Sequence, residues 1–241
     1  MDGDQTSPAL VEVVALTKRY GEQFALADVA FDVRRGEVLG IIGPNGAGKT
    51  TLLEGIAGLL PVDCGDVLWQ GRSLPPAQRR NTVFYLPDGL RPYQDQYAAQ
   101  VLAFFAGVYR APNAQLARVI ERLALVPVLQ KRVRALSKGF GRRLVLALGL
   151  LAPQPVLIMD EPFDGFDLRQ TRDVVQMLRE RAAGGRTLVL AIHQLADAER
   201  ACDRFLLLAE GRVLAHGTLD ELRDRTAQPR ASLEDIFLAL T

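Results

Sequence analysis

Apolar residues recur along this chain in two rhythms. Short β-like runs at 11–16, 25–33 and 37–43 fill its first part. The third run, Glu37-Val38-Leu39-Gly40-Ile41-Ile42-Gly43, is almost wholly apolar, the pattern of a strand buried on both faces. A glycine-rich loop follows, and the stretch from Lys49 to about Ala57 reads as a helix ended by residues 58–61. Residues 66–69 and 82–85 predict two more strands. From Gly89 to about Ala152 the period becomes helical. Val101, Phe104, Phe105 and Val108 stand at i, i+3, i+4 and i+7, and Leu116, Val119, Ile120 and Leu123 repeat that spacing. Both stripes predict core-facing sides, with Phe104 and Phe105 inside, and Pro112 and Pro127 punctuate the segment. Strand patterns return at 156–159, 186–191 and 204–209, and Glu210-Gly211 reads as a tight turn into 212–216.

Strands alternating with helices predict an α/β fold with a mainly parallel sheet covered on both faces, interrupted by an inserted helical subdomain. The expected organisation is a disordered tail over 1–10 and a single domain over 11–241. Within that domain, 11–88 and 153–241 form the core and 89–152 the helical subdomain.

Composition narrows the functional classes. The 241 residues are 49% apolar, enough to bury a sizeable core. The net charge is +1 with the signs interspersed, which gives no reason to expect a nucleic-acid partner. Cys64 and Cys202, without CxxC spacing, predict neither a disulfide framework nor a zinc site and fit a reducing cytoplasm. No apolar run reaches the roughly 20 residues of a membrane span. The polar opening MDGDQTSPAL is not a signal peptide. Any membrane role is therefore expected to come through a partner.

The strongest chemical signal is Gly43-Pro44-Asn45-Gly46-Ala47-Gly48-Lys49-Thr50, followed by Thr51. It matches the phosphate-binding loop in full and lies between an apolar strand and a helix, as that chemistry requires. Glycines let the backbone turn its N–H groups toward phosphate oxygens, and the helix N-terminus adds a favourable field. Lys49 is expected to reach the β- and γ-phosphates of ATP, and the Thr50 hydroxyl to coordinate Mg²⁺. The second signal is the apolar strand ending in Met159-Asp160-Glu161-Pro162. After a phosphate loop, Asp160 is placed to hold Mg²⁺ and Glu161 to polarise the attacking water. Carboxylates at a strand's C-terminal end also lie at the ligand-binding edge of an open α/β sheet.

The third signal is Leu136-Ser137-Lys138-Gly139-Phe140-Gly141-Arg142-Arg143, at the start of a helix-like run. The segment also reads as an ordinary helix start capped by Ser137. Coming between the other two motifs, it resembles the signature of ABC ATPases, usually LSGGQ followed by basic residues. Lys138 and Phe140 depart from that pattern. The resemblance covers about residues 11–218 and implies a P-loop NTPase of ABC type, with an N-terminal antiparallel β portion beside the parallel core.

It further implies a dimer, with the same chain or a homologous ABC subunit, that encloses two ATP molecules. Ser137, Lys138 and Gly139 would then meet the ATP held by the other subunit. Tyr20 matches the aromatic that stacks on adenine, Asp167 the aspartate of the loop crossing the dimer interface, and His193 the histidine that senses the γ-phosphate. Leu168 stands where the family has Pro. Asp88 stands where the family has a Gln that touches Mg²⁺, and as a hard oxygen donor it is expected to serve as a metal ligand. The implied function is ATP hydrolysis at the inner face of the cell membrane, driving a separate transmembrane permease subunit through the region 88–110. Leu86-Pro87-Asp88 and the closing Ser232-Leu233-Glu234-Asp235-Ile236-Phe237-Leu238 look like the exporter branch that pairs with ABC-2-type membrane proteins. A non-transport ABC ATPase or a regulatory subunit with little turnover are the alternatives. A DNA-repair or chromosome-structuring ATPase would need a long heptad run between the loop and the signature, and there is none.

Overall fold

The computed structural model describes residues 9–241. In chain order the elements are β1 (Ala9–Tyr20), β2 (Gln23–Arg34), β3 (Val38–Ile42), α1 (Lys49–Ala57), β4 (Cys64–Trp69), β5 (Arg72–Ser73), α2 (Pro76–Arg79) and β6 (Val83–Leu86). They continue with α3 (Ala98–Tyr109), α4 (Asn113–Arg122), α5 (Lys138–Leu151), β7 (Val156–Asp160), α6 (Leu168–Ala183), β8 (Thr187–Ile192), α7 (Leu195–Ala201), β9 (Arg204–Ala209), β10 (Arg212–Gly217), α8 (Leu219–Thr226) and α9 (Leu233–Leu240).

Two sheets form. One is antiparallel, with order β2-β1-β4-β5; the other has order β10-β9-β3-β8-β7-β6. In the second, all pairings are parallel except β10 with β9. The apolar runs read as doubly buried strands are so for a visible reason. In β3, Val38 and Ile42 enter one hydrophobic core while Leu39 and Ile41 enter the other. Strand β7 does the same, with Leu157 and Met159 on one side and Val156 and Ile158 on the other. Period-two alternation with both faces apolar is what a sheet between two packed layers requires. One layer is α1 with the antiparallel sheet. The other contains α3–α7 and α9.

Three expectations need correction. Residues 1–8 of the expected tail lie outside the described residues, but Ala9 and Leu10 belong to β1, where Leu10 is buried and its carbonyl accepts from the Gln70 amide at 3.0 Å. The helical block does not run continuously from Gly89: its first regular helix starts at Ala98. Phe104 is 63% exposed, and Val108 is exposed with it. The buried side of α3 carries Ala98, Val101, Leu102 and Ala106, with Phe105 partly packed. The apolar stripe is therefore wider than the face the core covers, and Phe104 and Val108 form its uncovered edge.

Candidate functional site

The parallel strands deliver their C-terminal ends to one edge. There β3 runs into the glycine-rich loop, β7 into Asp160-Glu161 and β8 into His193. The loop is held from within. Buried Lys49 donates from Nζ to the carbonyls of Gly43 at 2.7 Å and Pro44 at 3.2 Å. The Ala47 amide donates to the Pro44 carbonyl at 3.1 Å. It is also braced from outside: the Gly211 amide donates to the Ala47 carbonyl at 3.1 Å, and Ala27 in turn donates to the Gly211 carbonyl at 2.8 Å. At two positions only glycine fits. A Cβ on Gly43 would stand 2.2 Å from the Leu208 carbonyl oxygen. Gly48, at φ +101, would place one 2.4 Å from that of Ala25.

Beneath the loop the Thr50 hydroxyl donates to Asp160 Oδ2 at 2.7 Å. Burial pushes the Asp160 carboxyl above the usual range, the Thr50 hydrogen bond opposes the rise, and the Asp88 charge adds to it. The buried Tyr85 hydroxyl, with no partner among the described residues, is pushed up by burial and by the Asp160 charge. The donor set suits Mg²⁺: a hydroxyl and a carboxylate oxygen, both hard, already in contact. No group of three His, Cys, Asp or Glu that could hold a metal ion occurs among the described residues, so phosphate oxygens and water would complete the shell around Mg²⁺.

One residue further on, Glu161 takes a left-handed backbone, φ +49. Such strain costs a non-glycine residue about 1–3 kcal/mol and persists where surroundings over-determine it. Here the Glu161 amide donates to the Ala191 carbonyl at 3.0 Å. Its Oε2 accepts from the His193 amide at 3.3 Å and lies 2.5 Å from His193 Nδ1. Its carbonyl accepts from Arg142 Nη2 at 2.5 Å. The same nitrogen donates to Asp88 Oδ1 at 2.6 Å, so the carboxylate expected on the metal side rests on a guanidinium. Sequence reasoning passed over Arg142. Its only signal was a basic residue following the signature.

Other expected residues stand apart from the loop. Ser137 caps α5, its Oγ accepting from the Phe140 amide at 3.4 Å. Lys138 Nζ lies 3.0 Å from Asp164 Oδ2. A Cβ on Gly139 would meet Gln170 and the Gly165 carbonyl in ordinary contact. Asp167 caps α6, its Oδ1 accepting from the Gln170 amide at 2.8 Å. Tyr20 is exposed at the end of β1, with Lys18 Nζ 5.5 Å from its ring centre, so it is not a core residue. A cavity of about 1090 Å³ lies around α6 and the start of β3, lined by Val38, Thr171, Val175, Arg179 and Asp203, away from this chemistry.

A glycine-rich loop between a central parallel strand and a helix, with a hydroxyl, two carboxylates and a histidine grouped at the same sheet edge, defines a P-loop nucleoside triphosphatase. The chain belongs to the ABC transporter family, whose family model matches residues 26–164. It is 33% identical over 240 residues to the "Probable multidrug ABC transporter ATP-binding protein YbhF" of Escherichia coli, a match covering 96% of this chain and 41% of that protein. The chain thus spans less than half the length of that relative. It is 36% identical over 224 residues to the "Nod factor export ATP-binding protein I" of Ralstonia nicotianae, covering 90% of this chain and 69% of that one. A solved "Structure of ATP binding subunit of ABC transporter" superposes with a TM-score of 0.86 at 34% identity, covering 96% and 99% of the two chains. Fold class and family are those expected from the three motifs.

Proposed function

We propose that the chain binds ATP-Mg²⁺ at this edge and hydrolyses it as half of a dimer that drives a separate transmembrane subunit of an exporter. One observation carries the reading: Thr50 bonded to Asp160 beneath the loop, with Glu161 held against His193 one residue beyond. Lys49, Thr50, Thr51 and the amides of residues 43–48 bind the phosphates, and Tyr20 offers an exposed ring for adenine. Thr50 and Asp160 would hold Mg²⁺, which when bound neutralises charge on the phosphates. Glu161 orients the attacking water and draws on its proton as the oxygen bonds to the γ-phosphorus and the bond to ADP breaks. His193 holds the Glu161 carboxylate in place and lies beside the γ-phosphate. Ser137, Lys138, Gly139 and Asp167 face a second subunit.

The membrane partner is supported by an uncovered apolar edge. Tyr93 and Phe104, both exposed, border a cleft of about 350 Å³ floored by Phe105 and Leu148. No helix among the described residues is long and apolar enough to cross a membrane, so location at its inner face would come through that partner. The two relatives named for multidrug transport and Nod factor export support the exporter direction.

Glu161→Gln tests the reading. Turnover should fall at least about a hundredfold while ATP still binds, and the variant should collect as an ATP-bound dimer in size-exclusion chromatography. Wild-type turnover in this variant would remove Glu161 from its role.

A further inference from the structure

We propose that Arg142 is a positioning residue for hydrolysis, tying Asp88 at the end of β6 to the Glu161 peptide at the end of β7 and neutralising the first while holding the second. The proposal rests on the reading of Glu161 as the carboxylate that orients the water.

Arg142 lies in the second turn of α5, the helix that begins at the Ser137 cap, and its side chain is only 13% exposed. A single nitrogen, Nη2, makes both bonds, to Asp88 Oδ1 and to the Glu161 carbonyl. That nitrogen carries two hydrogens, one for each acceptor. Charge-assisted bonds of this length are the strong kind; the guanidinium and its bond to the Glu161 carbonyl are partly shielded, whereas the Asp88 carboxylate is 54% exposed and its pairing is screened by water.

The two ends need what the guanidinium supplies. Glu161 is in a left-handed conformation that its neighbours must enforce. Its amide and its carboxylate are both fixed from β8 and the residue that follows it, through Ala191 and His193. Its carbonyl accepts from the Asp164 amide within its own turn at 3.3 Å and, from a different layer, from Arg142. Without the Arg142 bond the peptide after Glu161 keeps only the longer bond from the Asp164 amide, and the carboxylate loses part of its aim. Asp88 presents the opposite problem. It adds a negative charge at an edge already holding Asp160 and Glu161 and built to receive phosphates. Paired with Arg142, it contributes little net charge. The link also runs between segments. The helix that presents Ser137 to a second subunit is hydrogen-bonded to the turn that carries the catalytic carboxylate. A shift of α5 is therefore felt at Glu161 directly through the Arg142 side chain.

The test uses the full chain with Arg142→Gln, Arg142→Lys, Asp88→Asn and the double variant Asp88→Asn/Arg142→Gln. Glu161→Gln runs beside them as a control. Three readings are taken: ATP affinity in EDTA, kcat and KM with Mg²⁺, and thermal melting of the nucleotide-free chain. Arg142→Gln should lower kcat by about tenfold or more with KM changed by less than about threefold. It should also weaken metal-free ATP binding, because Asp88 is then uncompensated. The double variant should recover metal-free affinity but not kcat. That split separates the charge role from the positioning role, and a merely structural residue would not produce it. Arg142→Lys, which keeps the charge and loses the fork, should keep affinity and regain only part of kcat.

Wild-type kcat in Arg142→Gln, with Glu161→Gln inactive, would overturn the proposal. So would a double variant as weak in metal-free binding as Arg142→Gln alone. Wild-type turnover in Glu161→Gln would instead overturn the reading of Glu161 itself. If Arg142→Gln melts below the assay temperature, Arg142→Lys and Asp88→Asn carry the same comparison: an undiminished kcat in Arg142→Lys together with unchanged metal-free affinity in Asp88→Asn overturns it.

Discussion

The phosphate loop and the signature segment are both glycine-containing turns at helix starts, yet the chain treats them differently. The loop over 43–48 is finished by the chain itself. Lys49 is buried beneath it, two of its carbonyls are capped, and Gly211 in the β9–β10 turn braces it, itself bonded to Ala27 of the antiparallel sheet. The signature segment is left facing outward. Lys138 reaches only Asp164, and Leu168, beside Asp167, is 75% exposed. The loop is pre-satisfied inward; the signature segment keeps its groups on the surface, as the proposed contact with a second subunit requires. Under the proposed function, the difference separates ATP binding, local to one chain, from hydrolysis, shared with a second.

The largest expected effect falls on the first region. Lys49→Ala removes a buried cation from the phosphates, an interaction worth on the order of 2–3 kcal/mol, so ATP affinity should fall by about thirtyfold or more. An unchanged dissociation constant in nucleotide titration would erase the distinction between the two regions. Ser137→Ala should act on the second region alone. Affinity of the isolated chain for ATP should hold while turnover and ATP-driven dimerisation fall about tenfold, with a loss of about 1 kcal/mol from the missing helix cap. Weaker ATP binding by the monomer would show that the signature serves its own chain.

The smallest effect on nucleotide binding lies away from both regions and serves as a control. His216 is mostly buried in β10, packed edge-on against Phe31 and 3.9 Å from Asp32. Burial chiefly, then the Arg204 charge, pull its pKa from 6.5 down to about 4; Asp32 and Glu221 oppose this and Arg34 adds to it. A folded-state value below the unfolded one means stability complete above pH 6.5 and lost progressively as the pH falls through about 4. That loss should be on the order of 3 kcal/mol. His216→Gln should flatten the melting-temperature profile across that window and leave ATP affinity at neutral pH unchanged. A profile parallel to wild type would assign the acid sensitivity elsewhere.

Much of this was legible in the sequence for reasons of periodicity. Runs such as 37–43 and 156–159 are apolar on both faces because two cores meet at the sheet, and a continuous apolar run records that directly. Local chemistry was equally plain, since the loop, Asp160 and Glu161 depend on neighbours within a few positions. What was not legible depends on distant partners. Nothing in Asp88 announces a guanidinium 54 positions away. The stripe carrying Phe104 has helical period whether a core or another protein covers its edge. Ser137 and Asp167 cap helices and also stand in motif positions, and one pattern serves both uses.

Strand β3 has no soft side. With Val38 and Ile42 in one interior and Leu39 and Ile41 in the other, sliding it would drag side chains through two packed layers at once. The loop at its end is the fixed reference of any working cycle. Displacement then falls to the outer helices over 98–151, whose polar links to the carboxylate turn run through two side chains, Arg142 to the Glu161 carbonyl and Lys138 to Asp164.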